Sequence, residues 1–148
     1  MKLQISSQLA VFALLELAAH PERQYSVAEM GEKYRVSNHH LAKVMHSLGR
    51  AGLVRSVRGV GGGYQFSGSV RRTTLLDIIE VFEALGSGDA DQGLGRSTDA
   101  GRALREVLTE IDEGARATLG SITIGTMLKL VDRQRKGVPS TRRARAAW

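Results

Sequence analysis

The sequence predicts a mainly α-helical chain with one two-stranded hairpin and a long C-terminal helix. Three observations carry this. Apolar residues recur at helical spacing in six segments, two short strand patterns flank a glycine cluster at Gly59–Gly63, and a heptad-like seam runs from Ala100 to Leu119. At 148 residues, 42% hydrophobic and 24% charged, the chain suits one small domain with an added helical arm.

The first helix is expected from Ser6 or Ser7, either of which can cap it, to Ala19, with His20-Pro21 ending it. Leu9, Val11, Phe12, Leu14, Leu15 and Leu17 cover nearly its whole circumference, so it must be buried on several sides. Glu16 interrupts this stretch and polar residues precede it, so it does not read as a signal peptide. It also falls short of the roughly 20 residues a membrane span needs.

Ser26 with Glu29 forms a capping-box pattern for a second helix, Val27 to Tyr34. The link Arg35-Val36-Ser37 leads to a third, Asn38 to about Ala51, capped by Ser37 and closed by Gly52. Leu41, Val44, Met45 and Leu48 give it one apolar stripe. Leu53–Val57 and Tyr64–Phe66 read as strands joined by a turn over Arg58–Gly63. Thr73 or Thr74 is expected to cap a fourth helix reaching about Leu85. Residues Gly86 to Ser97 read as a mobile loop, Asp99 to about Leu119 as the long helix, and about Ile124 to Gln134 as the last helix. The basic tail from Gly137 to Trp148 reads as disordered.

This order of helix, helix, short turn, helix and hairpin is that of a winged helix-turn-helix. The expected organisation is a DNA-binding domain over 1–85, a loop over 86–97, dimerisation helices over 98–136 and a tail over 137–148.

Charge placement points the same way. Six of the 21 basic residues lie between Arg133 and Trp148, leaving 15 basic against 15 acidic residues elsewhere. Within that balanced part, Lys33 to Leu76 holds eight basic residues and no acid, as expected of a polyanion-binding face; a solvated basic surface fits charge alone. A short turn sets the second and third helices steeply, so the third can enter a major groove by its N-terminal end. Ser37, Asn38, His39, His40 and Lys43 lie there, with Arg50 at the far end of the same helix. Asn can pair with adenine, and His and Lys can donate to guanine or phosphate; equally, Asn38 can be a second cap and the histidines plain surface residues. Arg55 and Arg58 lie near the hairpin tip, where an arginine can enter a minor groove, and Gly59 and Gly61 permit close backbone approach to phosphate.

Competing chemistries fail on context. Gly63 leads into a strand pattern rather than a helix or Gly-Lys-Ser/Thr, which argues against nucleotide binding. The pairs His39, His40 and His46 lack the i, i+4 spacing of two ligands on one helix face, and Asp89 and Asp91 read as solvated. No hydrolase constellation appears, and without cysteine there is no disulfide, thiol nucleophile or thiolate-held iron–sulfur cluster from this chain. An enzyme is not expected; no cofactor is expected; the expected setting is a reducing cytoplasm, which the lack of cysteine fits.

The run Ser37–Val44, the run Leu48–Tyr64, the Met1-Lys2-Leu3 start and Thr74–Glu80 together resemble the Rrf2 family of bacterial regulators. The resemblance spans Met1 to Leu85 clearly and the long helix more weakly. It implies a homodimer with crossed long helices on an imperfect palindrome of double-stranded DNA, the third helix in the major groove and Arg58 in the minor groove. The stretch Asn38–Lys43 is most similar to the nitric-oxide-responsive branch, and Ala42 stands where cluster-assembly regulators often carry a glutamate that reads cytosine. Many members hold a cluster through three cysteines between the fourth helix and the dimerisation helix. Here Gly86 to Arg102 has none, so cluster sensing is not carried over. The expected function is a sequence-specific regulator, a repressor, with a small-molecule effector of unidentified chemistry; the alternative is a nonspecific or architectural DNA binder using the tail.

Overall fold

The computed structural model describes residues 1–85 and 94–137. Six helices and one hairpin follow in the order α1 (Ile5–Ala19), α2 (Val27–Tyr34), α3 (Asn38–Arg50), β1 (Val54–Val57), β2 (Gly63–Phe66), α4 (Leu75–Ile79), α5 (Asp99–Ser121) and α6 (Ile124–Arg135). The tail, and the loop as far as Gly93, lie outside the described residues.

Helix α1 is the axis of the core. Ala10, Leu14 and Leu17 are fully buried, and the helix packs against α3, α4, α6 and β2, as its all-round apolar pattern requires. Its start corrects the expectation of a serine cap. The helix begins at Ile5 after Gln4, with no side-chain cap, and both serines lie inside it. Their hydroxyls are engaged sideways: Ser7 Oγ donates to Glu83 Oε2 at 2.5 Å, and Ser6 Oγ lies 3.1 Å from His40 Nε2. The same Glu83 oxygen accepts the Gln4 backbone N–H at 2.9 Å, so a distant carboxylate satisfies one of the free N–H groups at this helix start.

Helix α2 carries the full Ser26/Glu29 capping box. It ends at Arg35 in the left-handed conformation (φ 55°), and Val36 N–H returns to Gly31 O at 3.0 Å. Ser37 Oγ then accepts His40 N–H and starts α3. Gly31 sits where α2 meets this turn: a Cβ there would come within 2.5 Å of Asn38 Oδ1. Gly52 (φ 77°) closes α3, with Leu53 N–H bonded to Leu48 O at 3.0 Å.

The wing pairs Val54 with Phe66, Arg55 with Gln65, Ser56 with Tyr64 and Val57 with Gly63. Gly63 thus belongs to β2 rather than to the turn. The reason is a third segment: Tyr25 bonds Tyr64 in both directions, at 3.0 and 2.8 Å, tying the entrance of α2 to the wing. A Cβ on Gly63 would fall 2.4 Å from Tyr25 O and 2.6 Å from its carbonyl carbon, both backbone atoms. Gly63→Ala is therefore expected to destabilise the fold by about 1–3 kcal/mol, the usual range for an overpacked site. Urea unfolding followed by circular dichroism checks this; an unchanged midpoint would show that the strand can move away at no cost.

Helix α4 also departs from expectation. Thr74 and Asp77 form its capping box, but it stops at Ile79 rather than near Leu85. The chain tightens into turns at Val81 and Phe82, whose N–H groups bond three residues back. Glu80 and Glu83 are drawn to other elements, Glu80 to Arg116 and Glu83 to α1. Beyond the long helix, Leu75 N–H bonds Ile122 O and Ile124 N–H bonds Thr73 O. This bridge brings α6 back onto α1, where Ile124 is fully buried. Leu94 to Ser97, the described end of the expected loop, form turns leading into α5: Thr98 N–H bonds Gly95 O at 2.8 Å, and Thr98 Oγ1 accepts Gly101 N–H at 3.0 Å.

Helix α5 stands apart. None of its 23 residues is buried, although Leu104, Val107, Leu108 and Ile111 share one face and are 48–60% exposed. Such a face, roughly 10 Å along the helix from Leu104 to Ile111 at 1.5 Å per residue, is not buried by its own subunit.

Candidate nucleic-acid interface

On α3 the buried residues Leu41, Val44, Met45 and Leu48 form one stripe. At 100° per residue, the exposed residues His39, Lys43, His46 and Arg50 fall on the directly opposite side. Three of these four were anticipated. His46 stands outside the contacts expected from the sequence, although it completes the i, i+4, i+7 and i+11 pattern from His39.

The other predicted contacts on α3 fall on its flanks. Ser37 is the cap, Asn38 is exposed but lays its Oδ1 over Gly31, and His40 is half-buried with its Nε2 at Ser6. Of these, His40 links α3 to α1, Asn38 lies against the end of α2 and Ser37 serves α3 itself.

The wing leaves directly from the end of α3, anchored by buried Val54. Arg55 spends its guanidinium on Gln65 across the ladder, at 2.8 and 3.2 Å. Arg58 is exposed and is followed by Gly59 (φ 113°), fully exposed Val60 and Gly61 (φ 75°), so the tip needs the left-handed backbone that glycine supplies. Arg71 and Arg72, exposed in the turn after the wing, add two cations.

The pattern of ion pairing separates this region from the rest. Elsewhere five cations meet carboxylates: Arg23 with Glu29, Lys33 with Glu16, Arg102 with Asp99, Arg116 with Glu80 and Lys136 with Asp132. Between Lys43 and Arg72 the sequence holds no acid. Lys43, Arg50, Arg58, Arg71 and Arg72 are all exposed residues in that acid-free stretch.

The architecture and this surface define the class: a winged helix-turn-helix that binds DNA and regulates transcription, not an enzyme. The comparisons then give the family. A model of the Rrf2 family, described as an iron-dependent transcriptional regulator, matches residues 3–130, and the chain belongs to that family. It is similar to the HTH-type transcriptional regulator BadM of Rhodopseudomonas palustris, with 47% identity over 136 residues covering 92% of this chain and 86% of that protein. It is 30% identical to the HTH-type transcriptional regulator IscR of Vibrio vulnificus over 131 residues, 86% of this chain and 77% of that protein. Among solved structures it resembles CymR of B. subtilis, titled the global cysteine regulator, with a TM-score of 0.75 and 26% identity over 88% of this chain and 98% of that one. IscR of T. potens follows with a TM-score of 0.70 and 29% identity over 88% of each chain. Regulators of this family bind DNA and act as dimers.

The iron in the family's description finds no thiolate donor in this chain. The chain has no cysteine, and among the described residues no three His, Asp or Glu side chains converge as a metal site. Among the same residues, no helix is long and apolar enough to cross a membrane.

Proposed function

We propose that this protein is a cytoplasmic, homodimeric repressor that binds an imperfect palindromic operator and works without a thiolate-held cluster. The carrying observation is the acid-free run of exposed cations over α3, the wing and the turn after it. His39, Lys43, His46 and Arg50 form the edge of α3 that enters the major groove. Arg58 reaches the adjacent minor groove, and Arg71 and Arg72 meet phosphate. The exposed face of α5 pairs with its copy, so that two α3 helices meet successive major grooves about one helical turn apart.

Hydroxyl-radical footprinting on the promoter of its own gene tests this. Two protected patches separated by about one turn, with affinity that falls steeply with salt, are expected. Equal, weak affinity for unrelated duplexes would favour a nonspecific binder instead.

A further inference from the structure

A cleft of about 380 Å³ opens between α1, the end of α2 and α6, on elements the DNA interface does not use. Its walls are Phe12, Leu15, Ala19, Met127, Leu128 and Val131, and its far end carries Glu16, Tyr34, Asp132 and Arg135. The volume lies within the range of ordinary small-ligand sites, about 300–1,000 Å³. A second, polar cleft of about 290 Å³, lined by His20, Arg23 and Lys33, shares Glu16 and Arg135 with it.

The charges at the shared end are unevenly satisfied. Glu16 takes both the Lys33 ammonium and the Tyr34 hydroxyl, the latter at 2.8 Å. Burial alone would raise the Glu16 carboxyl, but these two donors and the Lys33 charge hold it below its ordinary value, so it is ionised and already neutralised. Burial and the Glu16 bond push the Tyr34 phenol up, leaving it a fixed neutral donor to Glu16. Asp132 is paired with Lys136 at 2.9 Å. Arg135 is left over, with no hydrogen bond or ion pair among the described residues. An open apolar cleft edged by one guanidinium without an ion pair among the described residues is complementary to an apolar body carrying one negative charge.

We propose that this cleft is an effector site for a small apolar monocarboxylate, whose carboxylate pairs with Arg135 and whose hydrocarbon lies between Phe12, Leu15 and Leu128. The site also reaches the DNA-binding motif. Tyr34, stacked on Phe12 at 5.2 Å, is the last residue of α2 and directly precedes Arg35, the left-handed residue that opens the turn into α3. An occupant that moves Phe12 and Tyr34 acts on the angle of α3. That regulatory step rests on the DNA-binding reading above; binding in the cleft does not.

Calorimetric titration of the full chain, without DNA, with octanoate and 4-phenylbutyrate tests the site, with octan-1-ol and octylamine as controls. Saturable binding of one carboxylate per subunit is expected, with the alcohol and amine at least about tenfold weaker, the size of one charge-assisted hydrogen bond. Arg135→Gln is expected to weaken the carboxylates at least about tenfold, and Arg133→Gln, an equal charge change on the same helix at a residue that does not line the cleft, to leave them unchanged. Ala19→Trp, which fills the cleft, is expected to abolish binding while the sedimentation mass stays the same. The proposal is overturned if neither carboxylate binds, if the amine or alcohol binds as well, or if Arg135→Gln matches the parent. It is also overturned if Ala19→Trp dissociates the dimer, which would assign the cleft to the subunit interface. A carboxylate that binds but leaves operator affinity unchanged would remove the regulatory step alone, and loss of operator binding with titration intact would count against the DNA-binding reading alone.

Discussion

Replacing Leu108 and Ile111 together with glutamate is expected to give a folded monomer whose affinity for a two-half-site operator falls at least about a hundredfold. Both side chains lie on the face of α5 that no element of its own subunit covers, 48% and 60% exposed. Losing them removes no contact that the fold depends on, and exposed substitutions of this kind usually change stability by about 0.5 kcal/mol or less. The cost falls on association, because each glutamate would be buried without a counter-charge in an apolar two-fold interface. Without the pair, the second half-site is no longer engaged by a tethered partner, and the gain from effective concentration, commonly about 10²–10⁴-fold, is lost. Light scattering should report half the parent mass with unchanged circular dichroism, and gel shifts should show weak binding equal on one and two half-sites. Leu14→Ala supplies the contrast. Leu14 is fully buried, and its truncation should cost about 2–5 kcal/mol and lose DNA binding through unfolding rather than through assembly. A double variant that remains dimeric would place the subunit contact elsewhere than α5.

Much of this surface was legible in the sequence because it rests on local rules. The stripe of α3 follows from helical spacing, the Ser26 and Thr74 boxes from residues three apart, and the closure at Gly52 from the left-handed backbone that glycine permits. What local rules missed was decided by partners distant in sequence. Ser6 and Ser7 were plausible caps, yet α1 begins before them because Glu83, 79 residues from Gln4, supplies the missing acceptor. Helix α4 has the apolar periodicity to reach Leu85, yet it stops at Ile79, where Glu80 turns to Arg116 on α5. Gly63 reads from the sequence as the last glycine of a tight turn, whereas its lack of a side chain serves the approach of Tyr25. In the same way Asn38 and His40, chosen for their hydrogen-bonding chemistry, turn toward Gly31 and Ser6, which no spacing rule could reveal. Arg135 belongs to the basic C-terminal run of the sequence and becomes distinct only in the fold, which places it beside an apolar cleft.

Arg58→Ala is expected to lower operator affinity by about 5–150-fold, the range of one well-placed arginine contact at 1–3 kcal/mol, and to reduce the salt dependence by close to one counterion. The physical basis is its position. Arg58 is exposed and precedes a tip whose Gly59 and Gly61 hold positive φ, whereas Arg55 is held by Gln65. The backbone of the tip is thus constrained while the Arg58 side chain remains available, the combination needed to insert a guanidinium into a narrow groove. Lysine at this position separates charge from shape. Arg58→Lys keeps the phosphate attraction and most of the salt dependence, but its strongly hydrated ammonium enters a narrow minor groove at greater cost, so the preference for A·T-rich flanks should fall. Arg72→Ala, by contrast, removes a cation expected to meet phosphate, and should weaken all duplexes alike without altering sequence preference. Fluorescence anisotropy across a salt series, on the operator and on a variant with G·C flanks, distinguishes the three substitutions. If Arg58→Ala binds both duplexes as the parent does while Arg72→Ala does not, the wing lies off the DNA and the protein reads its operator through α3 alone.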